Sequence, residues 1–201
     1  LGVGAGIGFG MMTKFTVSFW VAGLVVAALL SPRRKDLLSK WLWLGVALAM
    51  LIYSPNLIWQ IRHDFISLDF LQAIHARDLQ WGRGQNFLPE QLTSSTNPLA
   101  LPLWAAGLAS CLIAVSMRRF RPLAFLFLVT FGIFLVARGR SYYVAPAYVM
   151  LTAAGSVWWT NRLGGRSKGL RQAGMGILYA LLAVGGLAAI LIVKPVAPIN
   201  S

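Results

Sequence analysis

Acidic side chains are scarce in this chain. Five Asp and Glu stand against 18 Lys and Arg in 201 residues, for a formal charge of +13. Charged residues of both signs make up only 11%, against about 25% in an ordinary soluble domain. Cysteine is nearly missing as well. Cys111 stands alone inside an apolar run, which excludes an intrachain disulfide, and no Cys/His spacing suggests zinc. The sequence has no G-x-S-x-G, no Walker loop, no paired acids at a fixed turn, no low-complexity tract and no repeat of about 20–50 residues. What it has in excess is apolar surface: 58% of residues are hydrophobic and the mean hydropathy is +0.70. A soluble domain of this size cannot hide that much. Lipid is therefore the solvent for most of the chain. The basic residues lie in short runs between apolar stretches, which marks membrane flanks and not a nucleic-acid surface.

A spanning helix needs about 20 apolar residues. Segments of that kind lie at about 41–61, 98–117, 122–138, 143–160 and 173–193. The stretch 1–30 is different. It carries Gly2, Gly4, Gly6, Gly8 and Gly10, then Thr13-Lys14, then a second apolar run. As one helix it would be ~45 Å long, too long for a ~30 Å core without strong tilt. The alternative is two half-helices broken near 12–15. The reading is an all-α polytopic membrane protein with about six hydrophobic segments in a single transmembrane domain, 1–201. No signal peptide precedes Leu1, which opens inside an apolar segment, so we expect a piece of a longer protein.

The basic runs orient the chain. Loops 31–40, 117–122 and 161–172 hold eleven basic residues, whereas 62–97, 138–142 and 194–201 hold six. The positive-inside rule makes the first set cytoplasmic. The longest loop, 62–97, is then extracytoplasmic and holds Asp64, Asp69, Asp78 and Glu90, four of the five acids. Within it Phe65, Leu68, Leu71 and Ile74 recur every three residues, as on an interfacial helix. Gly82-Arg83-Gly84 should break that helix, and Pro55 should kink or end the span that holds it.

Four groups of residues could carry chemistry. Lys14 is an ammonium in an apolar segment, either snorkelling to the interface or facing an anion in a cavity. His63, Asp64, His75, Arg77 and Asp78 mix a base, acids and a cation, or form a solvated face. Arg138-Gly139-Arg140-Ser141-Tyr142-Tyr143 is a tight turn whose guanidiniums and phenols suit a phosphate, or simply anchor the interface. In Ser54-Pro55-Asn56 the proline frees carbonyls that could line a cavity, or only stops the helix.

Three of these stretches together resemble bacterial glycosyltransferase family 39, which groups with the protein O-mannosyltransferases and the lipid A aminoarabinose transferases. They are Gly8-Phe9-Gly10-Met11-Met12-Thr13-Lys14-Phe15 with the later Ser31-Pro32-Arg33-Arg34, then Ser54-Pro55-Asn56-Leu57-Ile58-Trp59 with His63-Asp64-Phe65, and finally Gly139-Arg140-Ser141-Tyr142-Tyr143-Val144-Ala145-Pro146-Ala147-Tyr148. Their order and spacing cover nearly the whole chain. The resemblance implies a GT-C-like transmembrane helix bundle in the bacterial inner membrane. It implies an inverting transfer of a sugar from a polyprenyl-phosphate carrier to an extracytoplasmic lipid, glycan or protein acceptor. The catalytic carboxylate would lie upstream, in the N-terminal part of the same protein, so this fragment would supply carrier-phosphate binding and be inactive alone. No metal and no cofactor beyond the lipid-linked donor is implied. By the same resemblance Lys14, His75, Arg77, Arg140 and Tyr143 bind the carrier phosphate, with Arg140 where Lys is usual. Two other readings remain open: half of a secondary transporter for an anionic substrate, and a non-catalytic membrane scaffold subunit.

Overall fold

The computed structural model describes residues 1–83 and 85–193, which form helices and short connections with no strand among them. Gly84 and the tail 194–201 lie outside the described residues. In chain order the helices are α1 Gly2–Thr13, α2 Val17–Leu29, α3 Lys40–Arg62, α4 Ile66–Gln80, α5 Phe87–Thr93, α6 Leu101–Ile113, α7 Arg121–Val136, α8 Ala145–Gly164 and α9 Lys168–Val193. This is an all-α polytopic membrane fold. Lys40–Arg62, Val115–Val136 and Lys168–Leu191 are each long and apolar enough to cross a membrane. Phe87–Thr93 and Pro98–Ile113 add a fourth span if the 87° bend between them lies within one broken helix. Fewer helices reach full spanning length than the six hydrophobic segments suggest. α1 and α2 have 12 and 13 residues, while α8 carries Ser156, Thr160, Asn161 and Arg162, which lower its hydropathy.

The helix ends follow from local chemistry. At Lys14 the backbone becomes extended (φ −154°, ψ 118°), while its N–H still bonds Gly10 O at 2.9 Å. The Thr13 hydroxyl donates to the same carbonyl at 2.8 Å. Ser18 restarts the ladder by donating its amide (3.0 Å) and hydroxyl (2.8 Å) to Phe15 O. Pro55, by contrast, neither ends nor stops its helix, since α3 runs through it to Arg62. A proline removes the N–H that would bond the carbonyl four residues back, here Leu51 O. The Ser54 hydroxyl donates to that carbonyl at 2.7 Å, so the freed acceptor is satisfied and the helix continues. Asp64 and Phe65, both at positive φ (49° and 55°), turn the chain from α3 into α4.

The contacts of the chain divide into two units. The first is Leu1–Phe87 with Phe125–Tyr143, and the second is Leu88–Ala124 with the chain from Val144. In unit one α1 crosses α3 at small residues. Gly4 lies so close to Gly45 that a Cβ on Gly4 would collide with the Gly45 backbone, and Gly8 meets Ala49 in the same way. Such four-residue spacing of small side chains lets helix backbones approach in lipid. α2 meets α7 through Gly23 against Leu126 and Thr130, and through Phe19 on Phe134, with ring centroids 5.2 Å apart. In unit two α6 and α8 repeat the device, with Gly107 against the Leu151 carbonyl and Gly155 against the Leu103 carbonyl. Cys111, Met117, Ala124 and Ala154 form its buried core.

Candidate functional site

One end of unit one gathers ionised and phenolic groups around a cavity of about 440 Å³. Two helix-terminating turns build it. At the end of α4, Gly82 (φ 69°) lets the Arg83 amide bond back to Asp78 O at 3.0 Å. At the end of α7, Arg138 (φ 47°) takes the left-handed position and the Gly139 amide bonds Phe134 O at 2.8 Å. Both are bonds from residue i+5 back to residue i, as in a Schellman turn. The first folds Arg83 back over Asp78, and the second redirects the chain so that Arg140 reaches α4.

The meeting point is Asp78, only 7% exposed. Arg140 Nε donates to its Oδ2 at 2.7 Å. Arg83 Nη1 and Arg77 Nη2 approach its Oδ1 at 3.3 and 3.4 Å. The Arg140 hydrogen bond is the main cause that holds the Asp78 carboxyl below the usual range, opposing burial, and the charges of Arg140 and Arg83 and the bond from Arg77 add to it. Arg140 is in turn held more firmly protonated than an ordinary arginine, chiefly by Asp78 and then by Tyr142. Its Nη1 donates to the Tyr142 hydroxyl at 3.3 Å. Burial works to raise the Tyr142 phenol, but hydrogen bonds with Arg140 and Tyr143 and the charges of Arg140 and Lys14 outweigh it and lower its pKa. Lys14 Nζ sits 5.0 Å from the Tyr142 ring centre and 4.9 Å from that of Tyr143, within cation–π range. Tyr143 is fixed by its ring against Phe134, at 5.1 Å, and by the Trp20 indole, which donates to its carbonyl at 3.2 Å.

The cavity is two-faced. Phe15, Phe19, Leu68, Leu71, Ile74 and Phe134 supply apolar wall, while Gln72, His75, Asp78, Arg83, Arg138, Arg140 and Tyr143 supply polar wall. Of the residues singled out in sequence, His75, Arg140 and Tyr143 line it directly. Lys14 does not line it but covers the Tyr142 and Tyr143 rings beside it. Arg77 reaches it only through Asp78. His63 and Asp64 are elsewhere, at the α3–α4 corner, where His63 stacks on Trp59 at 4.4 Å and its Nδ1 lies 2.8 Å from Trp59 O. Sequence reasoning missed Arg83 and Gln72, and it left Asp78 as one member of a mixed cluster. The signal was present. Asp78 continues the helical face of Leu71 and Ile74, and an acid on an apolar face needs cations.

The surplus of charge decides what such a site can hold. Three guanidiniums, those of Arg77, Arg83 and Arg140, meet on a single carboxylate next to apolar wall, and the Lys14 ammonium lies over the neighbouring Tyr142 and Tyr143 rings. Like charges so close repel unless an anion joins them. A ligand with an anionic head and an apolar tail meets both walls.

In comparison with known proteins, parts of the chain are similar to membrane glycosyltransferases. Residues 1–59 match the dolichyl-phosphate-mannose-protein mannosyltransferase family. That stretch covers α1, α2 and most of α3, including Lys14, and stops short of α4 and the Arg138–Tyr143 turn. The chain is also similar to the lipid A galacturonosyltransferase RgtD of Rhizobium johnstonii, with 34% identity over 72 residues. The aligned stretch is 36% of this chain and spans only 15% of that protein's length. No solved structure matches the chain.

Proposed function

We propose that this chain is the carrier-binding part of a membrane glycosyltransferase that moves a sugar from a polyprenyl-phosphate carrier to an extracytoplasmic acceptor. The observation that carries the reading is the joining of one cationic and phenolic cluster to one apolar cavity wall within unit one. The family match adds a donor class in its own description, a dolichyl-phosphate sugar. The isoprenoid tail would lie along Phe15, Phe19, Leu68 and Phe134. The phosphate would face Arg140, Arg83 and Tyr143, with Lys14, Arg77 and His75 at its margin. The distribution of the basic loops supports an extracytoplasmic position for this end, in what the resemblance implies is a bacterial inner membrane.

In the reaction, an acceptor hydroxyl oxygen attacks the anomeric carbon from the face opposite the carrier and forms the new C–O bond. The bond from that carbon to the phosphate oxygen breaks, and its electron pair stays on the leaving polyprenyl phosphate. The acceptor proton passes to a carboxylate upstream of this chain. The phosphate gains negative charge as the bond breaks, so fixed cations aimed at it stabilise the transition state more than the ground state. The direct test is a transfer assay on the full-length protein in proteoliposomes with a polyprenyl-phosphate-linked sugar. The reading expects transfer that Arg140→Ala removes. Transfer unchanged in Arg140→Ala and in Lys14→Ala would contradict it.

A further inference from the structure

The three arginines around Asp78 are not held alike. Arg140 has Oδ2 to itself at 2.7 Å through Nε, a length typical of a strong charge-assisted bond. Its other arm is tied to Tyr142, and its side chain is 27% exposed. Arg77 and Arg83 share Oδ1 at 3.4 and 3.3 Å, beyond the optimum for such bonds. Their side chains are 44% and 47% exposed, and both guanidiniums lie over the Trp81 ring, at 4.8 and 4.9 Å. One cation is clamped and two are loosely parked.

We propose that Asp78 is a positioning residue that stands in for the carrier's phosphate. This rests on the carrier-binding reading above. Asp78 keeps Arg140 aimed into the cavity whether or not a ligand is present. When an anionic head enters, the long Oδ1 contacts are the ones it can displace, so Arg83 and then Arg77 turn from Asp78 to the phosphate. After transfer, the Asp78 carboxylate competes for the same two guanidiniums and eases the polyprenyl phosphate out. An internal anion of this kind lowers affinity for the product and speeds its release.

The opposite expectation belongs to a purely structural ion cluster, whose loss would loosen the site and weaken binding. The probe is farnesyl phosphate, titrated against the full-length protein in nanodiscs, with inorganic phosphate as the headgroup control. Asp78→Asn removes the competing charge and should bind farnesyl phosphate roughly tenfold more tightly, about the worth of one charge-assisted bond. Its kcat for transfer should fall while the KM for donor falls as well, and Asp78→Glu should restore kcat in part. Equal or weaker binding by Asp78→Asn would overturn the proposal. If that variant does not fold, Arg83→Gln decides. Several-fold weaker binding supports a guanidinium that moves to the phosphate, and unchanged binding overturns it. Failure of the wild-type protein to bind farnesyl phosphate would instead remove the carrier-binding reading, and this proposal with it.

Discussion

The two units solve the same packing problem and then part ways. Each brings two helices together at glycine, Gly4 on Gly45 in the first and Gly107 with Gly155 in the second. In lipid there is little hydrophobic force between helices, so close backbone contact is what joins them. The difference lies in what is attached. In unit two the interhelical polar links described are neutral: the Tyr148 hydroxyl donates to Gln91 Oε1 at 2.9 Å, Asn97 to Leu182 O at 3.3 Å, and the Trp159 indole to Pro102 O at 3.0 Å. Unit one places a carboxylate, three guanidiniums and an ammonium beside apolar wall. Neutral bonds between helices fix a structure, whereas an uneven charge cluster asks for a ligand. The comparison teaches that the helix pairing is shared scaffolding and that the ionised cluster beside an apolar wall is what sets unit one apart.

The largest effect should come from attacking the shared scaffold. Gly155→Leu drives a side chain into the Leu103 backbone and should cost more than about 3 kcal/mol, read as loss of monodisperse protein or a sharply lower Tm in detergent. Next comes the charge cluster. Arg140→Ala should lower sugar transfer by about 100-fold or more, while the protein still extracts and elutes as wild type. Lys14→Ala should raise the KM for the lipid-linked donor by roughly tenfold, since one ammonium beside the phosphate is worth about 1.4 kcal/mol in such a site. In unit two, Tyr148→Phe should cost only about 1 kcal/mol of stability and leave the KM unchanged; a large KM effect would erase the contrast between the units. The smallest effect is with acid. The folded pKa of Asp78 is lowered, so its contribution is present above the unfolded value of about 3.9 and is lost as pH falls through the folded value. The Tm difference between wild type and Asp78→Asn should therefore shrink below about pH 4, by about 2–4 °C.

Much of the fold was legible because its signals are local. Hydropathy alone marks α3, which runs Lys40–Arg62 against a segment read at 41–61. The helical stripe in the long loop becomes α4, with Leu68, Leu71 and Ile74 on the cavity wall. Short α5 was not legible. Phe87–Thr93 lies in a polar stretch with no apolar run, and its 87° bend to α6 depends on Asn97, whose side chain accepts from Leu99 N at 2.9 Å ahead of Pro98. Pro55 misled because the rescue of its orphaned carbonyl comes from a neighbouring hydroxyl. At the site, residue types pointed to Lys14, Arg140 and Tyr143. They could not reveal that Arg140 is tied to Asp78, 62 residues away, because that pairing depends on the left-handed turn at Arg138. A positive φ at an arginine leaves no mark in sequence.

The most direct test is a cryo-electron microscopy structure of the full-length protein with a polyprenyl phosphate bound. The account predicts phosphate density within hydrogen-bonding reach, about 3 Å, of Arg140 and Arg83, with the isoprenoid chain along Phe15, Phe19 and Leu68. Phosphate density seated away from Arg140, with Arg77, Arg83 and Arg140 still gathered on Asp78, would contradict it.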